Sequence, residues 1–505
     1  MKIVSKLGES IEKYWIVTVL ATGVLFFWLT MLVSAGQPVW FDEGYSLLLA
    51  KSSFSELLSL TAVDAHPPLY YLLLKIWGGV FGFSEFAIRS LSAFLMSGAV
   101  VMAAVTLRQL FSTRVALTAL PFLLFAPFVL RYGYEVRMYA LATLIGVSAT
   151  YALVRARISA DWKWWAFYAV LVSLGMYALY MMAAVWLAHF VWLLVNSIKS
   201  EKRPFWRWPW LYAFAGAVVL FLPYIGTFIH QLTHSALPGM GNAMTASQLV
   251  NIVSMLSLYA PEWSLGGLGT IIIGAFIITL SVLGVRVYRT LSKKQKQGYM
   301  LLVALTVVPV AFYALTSLSP NPIFIVRYMA HSALFFAMLI GVTVALSLVT
   351  KPRLKGVRKK TYVAVLAVLC VLVVGTVTLQ KTGNFVFERM QKPMTHSVRE
   401  AAQCDNDDTI VIADDPYTYI DSVYYFDDCQ LHFFNEDEVE YEGGYAMLHA
   451  SEQRIAAAGD VSAPYVVHLG WSGREPKIDL SERYIMISQD TFDKQVVTRY
   501  QLIAE

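Results

Sequence analysis

Residues 15–45 read WIVTVLATGVLFFWLTMLVSAGQPVWFDEGY, and this stretch decides the fold class. It opens with an uncharged apolar run of about 20 residues, the length that a helix needs to cross the hydrocarbon core of a bilayer. Three lysines precede the run, as in a secretory signal, but the run is longer than a signal h-region, so we predict a retained anchor. Asp42 and Glu43 follow the anchor directly. The stretch therefore predicts a membrane protein with polar groups at the membrane surface.

The rest of the chain repeats the apolar pattern. Of its 505 residues 57% are hydrophobic and 14% are charged, and the mean hydropathy is +0.57, which excludes an ordinary soluble domain and a disordered chain. We predict an α-helical polytopic membrane protein with about 11 spans, near residues 14–34, 86–107, 115–131, 136–155, 163–179, 182–198, 209–229, 264–286, 299–318, 323–349 and 361–380. The fifth and sixth spans require a tight hairpin at Tyr180 and Met181. The predicted domains are a transmembrane domain over 1–380 and a soluble domain over 381–505.

The distribution of Lys and Arg predicts the orientation, because basic residues are retained on the cytoplasmic side of a membrane. With a cytoplasmic N-terminus, 23 of these residues fall in cytoplasmic segments and six in outer loops and span ends. A further apolar stretch at 67–83 would reverse this pattern if it were a span, so we interpret it as a juxtamembrane helix at the outer leaflet. The C-terminal domain then lies outside the cell (inner or plasma) membrane.

The C-terminal domain has the pattern of a small α/β unit. Strands are expected at 409–413, 464–468 and 484–487, and helices at 398–403 and 450–458. Cys404 and Cys429 both lie in this domain, where an oxidising compartment would permit a disulfide without requiring one. The acid pairs at 414–415 and 427–428 are compatible with a calcium or sugar site and also with solvated turns.

The first outer loop carries two polar groups of residues. Asp42 and Glu43 are either functional or part of a simple helix start, in which Asp42 caps a helix that begins at Glu43. The second group is the run Asp64-Ala65-His66-Pro67-Pro68-Leu69-Tyr70-Tyr71, which adds an acid, a titratable ring and an aromatic pair. Its alternative interpretation is a loop that ends one surface helix and starts the next.

The second outer loop, residues 131–139, holds Arg131, Glu135 and Arg137 among three tyrosines. Interfacial anchoring explains arginines and tyrosines at a membrane boundary, but it does not explain Glu135. A later pair, Arg327-Tyr328, lies near the outer end of a predicted span, where a buried arginine usually faces a partner or a polar cavity. Guanidinium groups bind phosphate oxygens in a bidentate fork. The pattern of acids and arginines favours group transfer from a phospholipid-linked donor.

These residues resemble the bacterial family 39 glycosyltransferases, which are GT-C fold enzymes related to protein O-mannosyltransferases and to the aminoarabinose transferases of lipid A. The resemblance rests on Phe41-Asp42-Glu43-Gly44-Tyr45, on 64–71 and 81–89, on Tyr134-Glu135-Val136-Arg137-Met138-Tyr139 and on Arg327-Tyr328. It covers residues 10–350, and the first loop is its most specific part. The chain departs from some relatives that have Lys at His66 and from others that have Asp at Glu135.

The resemblance implies a polyprenyl-phosphate-linked sugar donor, chemistry on the outer face and inversion at the anomeric carbon. It implies that Asp42 is the general base, that Glu43 orients the loop or the acceptor, and that Glu135 contacts the sugar or a cation. The substrate-binding candidates are Asp64, His66, Tyr70, Arg131, Arg137, Arg327 and Tyr328. The acceptor is a lipid, a glycan or a protein, and a divalent cation is possible as a cofactor.

Two other function classes stay open at the level of sequence. A transporter or flippase of lipid-linked glycans would need polar groups within the spans, where His189 and His331 are the main interruptions and are better explained as core residues. A noncatalytic membrane scaffold would tolerate loss of the outer carboxylates. No nucleic-acid motif, phosphate-binding glycine loop or Cys/His metal pattern is present in the sequence, so no nucleic-acid partner is expected.

Overall fold

The computed structural model describes residues 13–200, 204–234, 252–256, 262–316, 326–349 and 394–503. The predicted span at 361–380 and the predicted domain boundary after residue 380 lie outside these residues. In chain order the first eight helices are α1 Trp15–Ser34, α2 Phe41–Lys51, α3 Phe54–Val63, α4 Leu69–Phe81, α5 Glu85–Leu110, α6 Thr113–Leu124, α7 Pro127–Tyr134 and α8 Tyr139–Ser159. The next seven are α9 Trp162–Ala178, α10 Ala183–Ser200, α11 Pro209–Phe221, α12 Ile225–His234, α13 Glu262–Thr290, α14 Lys293–Thr316 and α15 Ala330–Val349.

Within the described residues, eight helical segments are long and apolar enough to cross a membrane, and the bent pair of α6 and α7 makes a ninth. Helix α9 has 17 residues and is apolar as well. On α1, large apolar side chains such as Ile16, Leu20 and Trp28 are exposed in the chain alone. Apolar surfaces of this kind are stable in contact with lipid. The chain is therefore a multi-pass membrane protein.

The chain divides into two compact units. The first comprises the described parts of Met1–Ala35, Arg89–Gly226 and Leu237–Gly383, and the second those of Gly36–Ile88, Thr227–Ala236 and Asn384–Glu505. The C-terminal residues thus group by their contacts with residues 36–88, whereas the predicted boundary separates the two segments.

Unit 1 is a helical bundle in which small residues allow close packing. Helix α9 packs against α8 and α11, and α15 packs against α6. A Cβ added at Gly341 on α15 would lie 2.9 Å from the Cβ of Ala119 on α6, so a glycine is required at this contact. The predicted hairpin between α9 and α10 is a short 3₁₀ turn at Tyr180–Met182.

The predicted span at 115–131 is wrong in detail, because it consists of two helices that meet at an angle of 64°. Pro127 begins α7, and the preceding Ala126 is extended, with φ −66° and ψ 113°. A residue before proline disfavours the helical region, so the apolar run is interrupted although its hydropathy is continuous. As a result Arg131 lies on a helix, and the loop that was expected from residue 131 begins at Glu135.

Unit 2 contains three short helices, α2, α3 and α4, which follow the first predicted span. Ser53 and Glu56 form a capping box at the start of α3, which fixes the turn after α2. The helix predicted at 67–83 is present as α4, with 13 residues, and its juxtamembrane position stays a prediction. Lys75 of α4 donates to the carbonyl groups of Ala50 and Ser52, so α4 is tied to the C-terminal end of α2.

The remainder of unit 2 is a six-stranded sheet in the order β3-β2-β1-β4-β6-β5. The strands are β1 Thr409–Ala413, β2 Gln430–Phe434, β3 Arg454–Ile455, β4 Tyr465–Trp471, β5 Tyr484–Phe492 and β6 Gln495–Leu502, and the helices are α16 His396–Ala402 and α17 Pro416–Ser422. Strands β1 to β4 run parallel, whereas β6 is antiparallel to both of its neighbours. The predicted small α/β fold is confirmed.

Two features of this domain bear on the sequence predictions. Cys404 and Cys429 form a disulfide. The helix expected at 450–458 is wrong, because Arg454–Ile455 pairs as β3 with Phe433 and Phe434 and Ala450 has a positive φ of 52°. The helix propensity of this alanine-rich stretch is outweighed by strand pairing and burial of Ile455.

Candidate active site

The first group of candidate residues begins α2. This helix starts at Phe41, two residues earlier than a cap at Asp42 would allow, and its N-cap residue Trp40 makes no side-chain capping bond. The prediction that Asp42 caps a helix beginning at Glu43 is therefore wrong. Asp42 and Glu43 are instead buried in the first turn. Negative charge at this position is stabilised by the helix dipole.

Asp64, which is buried, and His66, which is partly buried, form a pair at the end of α3. The Nδ1 atom of His66 lies 3.0 Å from Oδ2 of Asp64. Burial alone would raise the pKa of Asp64, but the interactions with His66, the hydroxyl of Tyr45 and the backbone of Ala65 together lower it. Asp64 is thus held as a carboxylate and links α2, which carries Tyr45, to the loop of His66.

Tyr70 lies on α4 and is fully buried. Its ring packs edge to face on Tyr71 at 5.9 Å, and Tyr71 packs on Tyr45 at 6.2 Å. The aromatic pair therefore forms the contact between α4 and α2, which gives Tyr70 a packing role. The substrate-binding role predicted for it stays a prediction.

In unit 1, Arg131 and Glu135 form a buried ion pair. Nη1 of Arg131 lies 2.7 Å from Oε2 of Glu135, and the Glu135 side chain is 0% exposed. Arg131 lies in the last turn of α7, and Glu135 is the residue that directly follows this helix. Removing a single carboxylate or guanidinium group from water is costly in free energy. Pairing the two charges offsets this cost.

Two more arginines are buried near this pair. The backbone N–H of Arg137 donates to the carbonyl of Glu135 at 2.7 Å, which forms a tight turn. The guanidinium groups of Arg89 and Arg131 both lie over the ring of Tyr134, at 5.7 and 5.1 Å from its centre. Arg89 also donates to the carbonyl of Ser34 at 3.2 Å.

We refer to Arg89, Arg131 and Arg137, together with Glu135, as the arginine cluster. Arg89 is not among the predicted site residues, and it is one of the six basic residues assigned to the predicted outer loops and span ends. The signal that could have found it is its position one turn inside a long apolar helix, where an arginine is costly without a polar partner.

Arg327 and Tyr328 lie in the 3₁₀ helix Val326–Met329, which leads directly into α15. The hydroxyl of Tyr313 donates to the carbonyl of Tyr328 at 3.0 Å, so α14 supports this turn. Tyr328 is buried, whereas Arg327 is partly exposed. Both residues belong to unit 1, as the arginine cluster does.

The acid pairs of the C-terminal domain have structural partners. Asp414 contacts His468 at 3.1 Å and accepts from the N–H of Lys477, while Asp415 caps α17 through Thr418. Asp428 pairs with Arg399. Among the described residues, no group of three His, Cys, Asp or Glu side chains is arranged to hold a metal ion.

The histidines that interrupt the spans were interpreted as core residues, and His189 fits that interpretation. Its two ring nitrogens lie 3.0 Å from the Thr150 hydroxyl and 3.1 Å from the Tyr168 hydroxyl. Both nitrogens are therefore satisfied within the bundle.

Comparison with solved structures identifies the architecture. ArnT from Cupriavidus metallidurans, bound to undecaprenyl phosphate, superposes on 96% of this chain and 98% of its own with a TM-score of 0.59 and 11% sequence identity. The chain has the GT-C fold. The apo state of the same ArnT matches with a TM-score of 0.59, 10% identity and the same coverage of both chains. The predicted fold class is confirmed.

The sequence itself is related to known transferases over a shorter segment. Residues 65–226 match the family model of dolichyl-phosphate-mannose-protein mannosyltransferases. This segment includes His66, Tyr70 and the residues of the second loop, and it begins after Asp42 and Glu43. No curated protein sequence matches the chain. The structural match thus extends over nearly the whole chain, whereas the match to the family model is confined to residues 65–226.

The ten predicted site residues fall into two groups within this GT-C fold. Unit 2 holds Asp42, Glu43, Asp64, His66 and Tyr70, and unit 1 holds Arg131, Glu135, Arg137, Arg327 and Tyr328. Contacts within each group are seen directly for Asp64 with His66 and for Arg131 with Glu135. The first group is predominantly acidic and the second predominantly basic.

Proposed function

We propose that the protein is an inverting glycosyltransferase that moves a sugar from a polyprenyl-phosphate-linked donor to an acceptor hydroxyl on the outer face of the membrane. The observation that carries the proposal is the presence, in a chain with the GT-C fold, of buried carboxylates at the start of α2 and a buried arginine cluster at the end of α7. Structural similarity to an ArnT bound to undecaprenyl phosphate supports a lipid-linked donor.

In this proposal the acidic group activates the acceptor. The hydroxyl oxygen of the acceptor forms a bond to the anomeric carbon, and its proton passes to the carboxylate of Asp42. Glu43, next to it in the same turn, orients the acceptor or the loop. The sugar carries oxocarbenium-like charge as the bond to phosphate breaks, and attack opposite the leaving group inverts the anomeric carbon.

The basic group stabilises the leaving group. The electron pair of the broken bond remains on the polyprenyl phosphate, whose charge is stabilised by Arg137 and Arg327 with Arg131 held by Glu135. Glu135 pairs with Arg131 and, in this proposal, contacts the sugar hydroxyls. His66, whose ring is held by Asp64, is a further candidate ligand of the donor phosphate.

Three features support the proposed orientation, in which the N-terminus is cytoplasmic and the sheet domain is outside. The basic residues are concentrated in one set of loops, with 23 against six. Helix α4 is shorter than a span. The disulfide between Cys404 and Cys429 fits an oxidising compartment.

The test is transfer of sugar from a panel of radiolabelled polyprenyl-phosphate hexoses and pentoses to membrane acceptors. We expect a labelled product with the wild type and at least a hundredfold slower transfer with Asp42→Asn, because a general base contributes about 10²-fold to 10⁴-fold. The matched control is Asp437→Asn, the same chemical change at an exposed position, which should transfer at the wild-type rate.

Both variants must be compared at equal amounts of folded protein. A fully active Asp42→Asn variant would show that Asp42 is not the base. Failure of the wild type with every donor would remove the transferase proposal and favour a transporter of lipid-linked glycans.

A further inference from the structure

The N-terminus of α2 lacks a cap of its own. The first N–H groups of an α-helix have no partner within the helix and need an acceptor from elsewhere. Trp40 supplies only its carbonyl, which accepts from Glu43 at 2.8 Å and from Gly44 at 2.9 Å. The N–H of Phe41 needs another acceptor, and this acceptor must come from outside the helix.

The carboxyl group that lies beside this N–H belongs to Asp421 on α17, 380 residues further along the chain. Its carboxyl group is buried and faces the backbone N–H of Phe41. Oδ2 of the same carboxyl accepts from the N–H of Met394 at 3.0 Å. One side chain thus joins the start of α2, helix α17 and the segment that leads into α16.

The packing around this carboxyl is unusually close. A Cβ added at Gly44 would lie 2.2 Å from the carbonyl oxygen of Ile420, so α17 touches the backbone of α2. The ring of Phe41 stacks on Tyr417 with the centres 4.6 Å apart and the planes within 6°. Tyr417, Ile420 and Asp421 are three and four residues apart and lie on one face of α17.

We propose that α17 positions the first turn of α2, with Asp421 as a positioning residue for Asp42 and Glu43. The inference rests on the proposed function, since it gives the soluble domain a role in the same reaction. The soluble domain then acts through the backbone of α2: Asp421 supplies the missing cap, Gly44 permits the close contact, and Phe41 fixes the turn by stacking on Tyr417. Asp42 and Glu43, flanked by Phe41 and Gly44, are held on both sides.

The first measurement is amide hydrogen exchange of residues 41–46 in the full-length protein in detergent. We expect Asp421→Ala to speed exchange of these amides about tenfold, because it removes hydrogen bonds to a buried carboxyl. Asp421→Asn retains one carbonyl acceptor and should speed exchange less, by about threefold. If Asp421→Ala does not fold, the test is decided by Asp421→Asn, for which the expected increase in the exchange rate is about threefold rather than about tenfold.

Asp427→Ala is the matched control. Asp427 is exposed and pairs with Lys51 at the other end of α2. Its loss removes a carboxyl contact between the soluble domain and α2 without touching the first turn. Exchange of residues 41–46 should therefore equal that of the wild type.

The second measurement is sugar transfer by the same variants. We expect Asp421→Ala to lower kcat about tenfold with an unchanged KM for the donor, and Asp421→Asn to restore most of kcat. Unchanged exchange in both Asp421 variants would overturn the inference, and so would faster exchange with an unchanged kcat. The proposed function is judged separately by sugar transfer with the wild type, whose failure with every donor would remove that proposal, whereas the exchange measurement on the Asp421 variants does not depend on transfer.

Discussion

At the scale of single residues, Glu135 is the counter-charge of the arginine cluster. Its side chain is completely buried and pairs with Arg131. Removing one partner of a buried ion pair leaves an uncompensated charge, which costs about 3–5 kcal/mol. We therefore expect Glu135→Gln to lower the free energy of unfolding by several kcal/mol, measured as a lower thermal midpoint in detergent.

The double variant Glu135→Gln/Arg131→Met serves as the control for this prediction. It removes both charges and should recover much of the lost stability, because an apolar side chain replaces an unpaired cation. Equal midpoints for Glu135→Gln and the wild type would contradict the pairing.

Asp421 adds a dependence on pH. Burial raises the pKa of Asp421 from 3.8 to about 7, against the opposing effect of the Met394 and Phe41 N–H groups. Between pH 4 and pH 7 the unfolded chain has lost the proton of Asp421, whereas the folded protein keeps it. The contribution of Asp421 to the free energy of unfolding is therefore complete below pH 4 and is lost as pH rises through 7. The full loss is on the order of 4 kcal/mol.

Asp421→Asn cannot ionise and should escape this loss. The pKa of the neighbouring Tyr417 is raised by burial and by Asp421 and Asp42, so Tyr417 stays neutral below pH 8. We expect the thermal midpoint of the wild type to fall relative to that of the Asn variant between pH 5 and pH 8. A constant difference between the two midpoints would contradict the raised pKa.

At the scale of helices and strands, an element could be predicted from the sequence where a single local property, such as a long apolar run, determines its structure. The first span was predicted at 14–34 and is Trp15–Ser34, because twenty apolar residues leave no alternative in a membrane. The break before Pro127 was missed because hydropathy continues across it while backbone sterics do not. At 450–458, the alanines favour a helix, and the pairing partner that overrides them lies twenty residues earlier in β2.

The same limit applies to the candidate site. Asp42, Glu43 and Glu135 could be found because charges beside apolar runs are conspicuous. Asp421 could not, since a single acid in a polar domain carries no signal until α17 is seen against α2. Arg89 could be predicted in part. The sequence shows an arginine inside the apolar helix α5, but it does not show that its guanidinium group lies close to Tyr134.

At the scale of the whole molecule, the proposed orientation requires the sheet domain and the basic loops to lie on opposite sides of the membrane. Single cysteines test this requirement in a background with Cys370→Ser, where Cys404 and Cys429 are protected as a disulfide. Ser481 is an exposed residue of the sheet domain, and Ser292 is an exposed residue of the turn between α13 and α14. The two positions sample opposite ends of the predicted topology.

We expect a membrane-impermeant maleimide to label Ser481→Cys in intact cells and to label Ser292→Cys only after the membrane is permeabilised. The physical reason is that the turn at Ser292 is followed by Lys293, Lys294 and Lys296, which are retained on the cytoplasmic side. The reverse labelling pattern would place α2, which lies in the same unit as the sheet, on the cytoplasmic side. In that case the donor sugar would have to be presented on the cytoplasmic leaflet, and the assignment of an outer-face reaction would fail together with the orientation.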